Sequence, residues 1–154
     1  MAAPVIRNMT ARDMPEMIGL GAEMHQESRY KNLDFNPARL IALGDAILAN
    51  PEMYCAKVAE VDGLIVGMII GYAVPHFFGE DFTSGDLAVY VDKVYRKGMI
   101  GVRLIKAYDE WCTNRGVREP VLGVSAGINP ERVGALYERL GYTEKYVIYK
   151  KPSR

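Results

Sequence analysis

The chain has 154 residues, 49% of them hydrophobic and 25% charged, which matches one ordinary globular domain with one core. Nineteen Lys+Arg against nineteen Asp+Glu leave no formal net charge, so long-range attraction to nucleic acid or to an acidic polymer is excluded as a binding principle. No basic-then-apolar leader and no bilayer-length apolar stretch stands out, so a soluble, cytoplasmic protein spanning 1-154 as a single domain is the expectation.

In chain order, Val5-Ile6-Arg7 reads as a first strand, and Thr10 as the N-cap of a helix with Met14, Met17, Ile18, Gly21 and Met24 at helical spacing. Residues 26–35 read as a linking loop. Asn36-Pro37 opens a second helix carrying Leu40, Ile41, Leu43, Ile47 and Leu48, and Asn50-Pro51 stops it. Met53 to Val61 and Leu64 to Tyr72 are strand-like and joined by Asp62-Gly63, a tight hairpin turn.

Pro75 through Ser84 reads as an irregular connection, followed by a strand from Asp86 to Val91. A third helix runs from about Ile100 to Asn114, with Leu104, Ile105, Tyr108, Trp111 and Cys112 facing the core. Pro120 to Ser125 reads as a strand, Asn129-Pro130 opens a fourth helix closed by Gly141, and Tyr146 to Tyr149 supplies a last strand. The predicted class is α/β: one domain, a mixed β-sheet flanked by about four helices, in the order β-α-α-β-β-β-α-β-α-β.

The segment from Val91 to Gly101 carries the clearest functional signal. A strand that breaks into a basic, glycine-bearing loop and then starts a helix leaves backbone N–H groups unpaired, and their dipoles favour an anion, phosphate above all. Arg96 and Lys97 add charge at the rim; the competing reading is two solvated charges before a helix. Cys55 and Cys112 lack metal-ligand spacing and His25 and His76 stand apart, so no metal site is expected and the cysteines should be free thiols.

These residues resemble the GNAT superfamily of acyl-CoA-dependent N-acetyltransferases over Ile6 to Tyr149. The family's cofactor signature, Gln/Arg-x-x-Gly-x-Gly/Ala, is met by Arg96, Ile100 and Gly101, whereas Met99 replaces the first glycine and Gly98 stands one place early. The departure predicts an altered loop path in which Gly98 supplies the missing backbone freedom. Leu136-Tyr137-Glu138-Arg139-Leu140-Gly141-Tyr142 is similar to the family's Leu-Tyr-Glu-x-Leu-Gly-Phe, and Asn129 to an asparagine that touches the cofactor's pantetheine arm. The form Arg-Lys-Gly-Met-Ile-Gly also resembles short acetyltransferase-like proteins encoded by phages.

The resemblance implies acetyl-CoA as acyl donor, with the amides of Lys97, Gly98, Met99, Ile100 and Gly101 around its pyrophosphate and the backbone of Val89 and Val91 along pantetheine. It implies Tyr137 as general acid toward the CoA thiolate; by periodicity alone, Tyr137 is a core residue on an apolar stripe. A base must free the acceptor amine. Glu80, Asp81 and Asp86 are within reach near the fourth strand, with Glu23 and Glu27 comparable candidates on the first helix.

Tyr30, Phe35, Tyr72, His76, Phe77 and Phe78 fall in segments that border the acceptor cleft in this fold, where they clamp substrate or close the core. Cys112 beside Trp111 reads as packing. The acceptor is a primary amine on a small molecule or a protein, with no nucleic-acid or membrane partner, and exposed sheet edges suggest a homodimer. The alternative is a fold with a degraded cofactor site, kept as a protein-binding or virion-associated module. A kinase-like phosphate site lacks the Lys-Ser/Thr that should follow Gly101.

Overall fold

The computed structural model describes residues 2–154. Its elements are β1 (Val5–Asn8), α1 (Met14–Glu27), α2 (Pro37–Ala49), β2 (Tyr54–Val61), β3 (Leu64–Pro75), β4 (Phe82–Val91), α3 (Ile100–Asn114), β5 (Val117–Glu119) and α4 (Pro130–Arg139). The five strands form one sheet in sequence order, antiparallel except for the parallel pair β4 and β5, which α3 connects.

β2 and β3 are apolar almost throughout because both sheet faces are covered. On one face Cys55, Ala59 and Ile69 pack with Leu104, Ile105 and Tyr108 of α3 and Tyr137 of α4. On the other, Val58 and Met68 pack with Met17, Leu20 and Ile47 of α1 and α2. Alternate residues of a strand face opposite sides, so one strand feeds both clusters.

Two glycine-dependent features set this geometry. Asp62 and Gly63 both take positive φ (49° and 80°), the backbone that a two-residue hairpin between right-twisted strands requires. At Gly71 a Cβ would lie 2.5 Å from the Tyr108 ring, so the missing side chain lets α3 seat its central tyrosine on β3. The start of α1 is tied to β1 by the bidentate pair Arg7–Asp13 (2.7 and 2.8 Å), with Asp13 also accepting from the Thr10 N–H at 2.7 Å. The Arg7 hydrogen bond, first of all, lowers the Asp13 carboxyl from 3.8 to about 2.

Several predicted boundaries shift. Thr10 precedes a 3₁₀ turn (Ala11–Asp13) rather than the α-helix itself, and the supposed loop 26–35 holds the end of α1 and a second 3₁₀ turn (Arg29–Asn32). β3 and β4 extend to Pro75 and back to Phe82 because they pair with each other to the hairpin's end. The strand expected over Pro120 to Ser125 lies earlier, at Val117–Glu119. Tyr146 to Tyr149, expected as a strand, forms none: the residues after Gly141 have no strand beside them, and those four side chains are exposed. Alternation encodes a face; a strand also needs a partner edge.

Candidate active site

β4 and β5 pair only at Phe82–Val117 and Thr83–Glu119, and beyond that they part. Side chains fill the start of the wedge where backbone pairing stops. Val121 N–H donates to Ser84 Oγ (3.1 Å) and Gly123 N–H to Asp86 Oδ1 (2.6 Å). The buried Tyr108 hydroxyl donates to the Val121 carbonyl at 2.8 Å and sits 2.9 Å from Ser84 Oγ. Past Asp86, the edge of β4 facing away from β3 has no strand partner among the described residues, and it forms one wall of a cavity of about 520 Å³. The 96–101 loop, the first turn of α3, the 123–129 segment and α4 make the other walls.

Val89, Val91, Arg96, Lys97, Gly98, Met99, Gly101 and Asn129 all line this cavity, while Ile100 is buried beneath it in the core. The first bond of α3 is Arg103 N–H to the Met99 carbonyl (2.9 Å), and among the described residues no protein acceptor takes the amides from Lys97 to Val102. Those amides form a concave donor surface at the positive end of a 15-residue helix, a setting suited to a diphosphate.

Three expectations for this loop change. Met99 adopts φ −97° and ψ 7°, which needs no glycine, and no residue from Arg96 to Gly101 has positive φ. Gly98 therefore supplies no special backbone freedom, and Met99 sits in a backbone conformation open to any residue. Arg96 does not present a free charge either: its guanidinium forms two bonds to Glu27 (2.6 and 2.8 Å), and its Nε donates to the Val91 carbonyl (2.7 Å). It braces the loop against β4 and α1. The cations that sequence reasoning missed are Arg132 and Arg139, which reach the same cavity from α4. Arg132 begins that helix's first turns and donates to the Arg96 carbonyl (3.3 Å).

Asn129 takes a left-handed backbone (φ 43°) just before α4, a conformation asparagine tolerates, and its side chain makes no capping bond. Tyr137 is 5% exposed, yet it faces the cavity, with its hydroxyl 3.3 Å from the Gly123 carbonyl. Burial, and then the nearby Asp86 charge, push the phenol well above its ordinary range. It keeps its proton at neutral pH. Burial likewise raises the Asp86 carboxyl, opposed by the Gly123 N–H bond.

The structure brings Asp86 and Tyr137 to one cavity and leaves the other acid candidates out. Glu80 and Asp81 are exposed near the β3–β4 hairpin tip and line neither major cavity; Asp81 pairs with Arg118 at 3.4 Å. The correction for Glu80 follows from β3 and β4 pairing to their ends, which carries the tip away from the wedge. Glu27 is held by Arg96 and by the Tyr90 hydroxyl (2.7 Å), which together keep its carboxyl below the usual range despite partial burial. Glu23 is an exposed residue on α1 that lines neither cavity.

A second cavity, about 590 Å³, lies between α1, α2 and the sheet, and shares Met24, Tyr30 and Leu87 with the first. Of the aromatic candidates, Tyr30 and Phe35 line it. Phe35 tilts against His25, whose Nε2 lies 2.8 Å from the Leu33 carbonyl. Tyr72 instead lies against Gly85, and His76, Phe77 and Phe78 cluster at the hairpin tip with both phenylalanines more than four-fifths exposed. Cys112 is buried in the core and Cys55 has its thiol pushed up to about 12 by burial, so neither thiol is a ready nucleophile.

Residues 15–142 match the model of the acetyltransferase (GNAT) family, and the chain belongs to that family. No match is found among curated proteins. Solved structures share the fold over nearly the whole chain. Ribosomal-protein-alanine N-acetyltransferase from Brucella melitensis biovar Abortus 2308 is 23% identical, with TM-score 0.76 over 99% of this chain and 100% of its own. Glucosamine-6-phosphate N-acetyltransferase from Arabidopsis thaliana is 17% identical, with TM-score 0.78 over 98% and 99%. The aminoglycoside N-acetyltransferase AAC(6')-Iy, in complex with CoA, is 20% identical, with TM-score 0.78 over 99% and 97%. Acetyl-CoA is the acyl donor of the family. Among the described residues no three His, Cys, Asp or Glu side chains are grouped to hold a metal, and no helix is long and apolar enough to cross a membrane.

Proposed function

We propose that this chain is an N-acetyltransferase that moves acetyl directly from acetyl-CoA to a primary amine, both substrates meeting in one cleft. The observation that carries the reading is the convergence, in the 520 Å³ cavity, of the unpaired amides from Lys97 to Val102, the open edge of β4, the Tyr137 hydroxyl and the Asp86 carboxylate. Bound acetyl-CoA supplies an activated acyl thioester. The loop amides, with Lys97, Arg132 and Arg139 around them, suit its diphosphate. The unpartnered edge at Val89 and Val91 offers donors and acceptors to an extended amide chain, as a sheet edge does for a peptide, and Asn129 stands on the facing wall.

Asp86 Oδ is assigned as the acceptor of the ammonium proton, freeing the nitrogen lone pair for attack. Its partly desolvated position raises its basicity, with the Gly123 N–H bond opposing that rise. Tyr137 Oη is assigned as general acid, holding the proton that the departing thiolate takes. Holding both reactants in place supplies much of the remaining rate advantage. A homodimer goes with this reading, supported by the exposed apolar run Tyr146 to Tyr149, and light scattering at twice the chain mass tests it.

The activity is tested by thiol release from acetyl-CoA with a panel of primary amines. Turnover with at least one amine is expected, together with a rise in Tm on adding acetyl-CoA. No rise at millimolar acetyl-CoA would favour the protein-binding module instead.

A further inference from the structure

The second cavity differs from the first in kind. Five of the chain's eight methionines, Met9, Met14, Met17, Met24 and Met68, line it. Leu40, Leu43, Ile47 and Ile70 complete a wall that is apolar nearly throughout, and the charged residues in it are Asp34 and Arg39, one of each sign, with His25. Its volume, about 590 Å³, falls in the range that encloses a small organic molecule. Methionine walls are polarizable and adjust to alkyl and aromatic shapes.

Gly21 borders this space and leaves room there for a side chain. It lies inside α1, where glycine costs about 1 kcal/mol against alanine. A Cβ built on it meets nothing within 4 Å, so no packing contact demands a glycine there. The position faces the cavity.

The two cavities meet at Met24, Tyr30 and Leu87, one residue along β4 from Asp86. Resting on the acetyltransferase reading above, we propose that the methionine-lined cavity is the acceptor site, and that the acceptor is a small primary monoamine whose body is an uncharged alkyl or aryl group. Its one ammonium lies at the junction beside Asp86 and its body fills the space under Gly21. A polycation such as a polyamine or an aminoglycoside brings several charges, and Asp34 offset by Arg39 offers them no net compensation; burying an unpaired charge is strongly unfavourable.

The test measures kcat/KM by thiol release for 2-phenylethylamine and hexylamine against spermidine and kanamycin, in the wild type, Gly21→Leu and Leu87→Glu. The apolar monoamines should exceed the polycations by tenfold or more. Gly21→Leu, which fills the cavity from a helix that accepts leucine well, should cut monoamine kcat/KM at least tenfold with acetyl-CoA affinity unchanged. Leu87→Glu, at an exposed position that tolerates charge, should narrow the gap between monoamine and spermidine. A preference for polycations, or full monoamine activity in Gly21→Leu, overturns the proposal. Calorimetric titration of 2-phenylethylamine without acetyl-CoA keeps this separate from the activity itself. Binding that Gly21→Leu abolishes upholds the acceptor cavity even where turnover fails, and absence of binding together with absence of monoamine turnover refutes it.

Discussion

The two cavities on either side of Leu87 are of similar size and opposite chemistry. One is walled by an open strand edge, unpaired helix amides, Lys97, Arg132 and Arg139; the other by methionine and aliphatic side chains, its single carboxylate offset by a single guanidinium. Polar backbone is exposed in the first because β4 and β5 part, whereas the second is walled by side chains of α1, α2, β3 and β4. A nucleotide-bearing donor suits the first and an uncharged body suits the second. The proposed chemistry falls at their junction, where Asp86 lies next to Leu87 and lines the same cavity as Tyr137.

Substitutions that touch one side and spare the other test this division. The largest effect is expected from Tyr137→Phe, which removes the hydroxyl proposed as general acid but keeps the ring: kcat should fall on the order of a hundredfold while acetyl-CoA affinity, read by calorimetry, stays within twofold. Equal loss in both would make Tyr137 a binding residue. Gly101→Phe comes next. A Cβ there already touches Leu136 at 3.7 Å, so a ring must enter the donor cavity or push α4 away, and acetyl-CoA affinity should drop by about tenfold, about 1.4 kcal/mol.

Arg132→Gln should raise the acetyl-CoA KM by roughly threefold in dilute buffer and by less in added salt, because an exposed charge is screened. The acceptor KM should not move. A separate test, of stability rather than of catalysis, concerns the apolar side. Asp13 anchors the start of α1, and its lowered carboxyl contributes stability that is full above its ordinary 3.8 and lost as pH falls toward about 2. Asp13→Asn should therefore cost about 2 kcal/mol at pH 7, by urea unfolding, and the cost should shrink steadily below pH 4.

Much of this layout was readable in the residues. Asp62-Gly63 marks its hairpin because few residues take two successive positive φ angles, and Asn36-Pro37 marks α2 because cap and proline act locally. The loop after Val91 was likewise readable, as a turn that leaves the first amides of α3 unpaired. The parts misread depend on distant partners. Arg96 looked like a free phosphate ligand because Glu27, which neutralises it, lies 69 residues away. The β4–β5 wedge is held by the hydroxyl of Ser84 and the carboxylate of Asp86, whose bonds to Val121 and Gly123 follow no helical or strand period. The apolar cavity was hidden for the same reason: its methionines read as ordinary helix and strand core until α1 and α2 are seen to leave space under Gly21.

Hydrogen exchange of the backbone, with and without acetyl-CoA, tests the donor side most directly. Slowed exchange concentrated in the amides from Lys97 to Val102, with the Phe77-Phe78 turn unchanged, is the predicted result. Unaltered exchange in that segment at saturating acetyl-CoA would contradict the account.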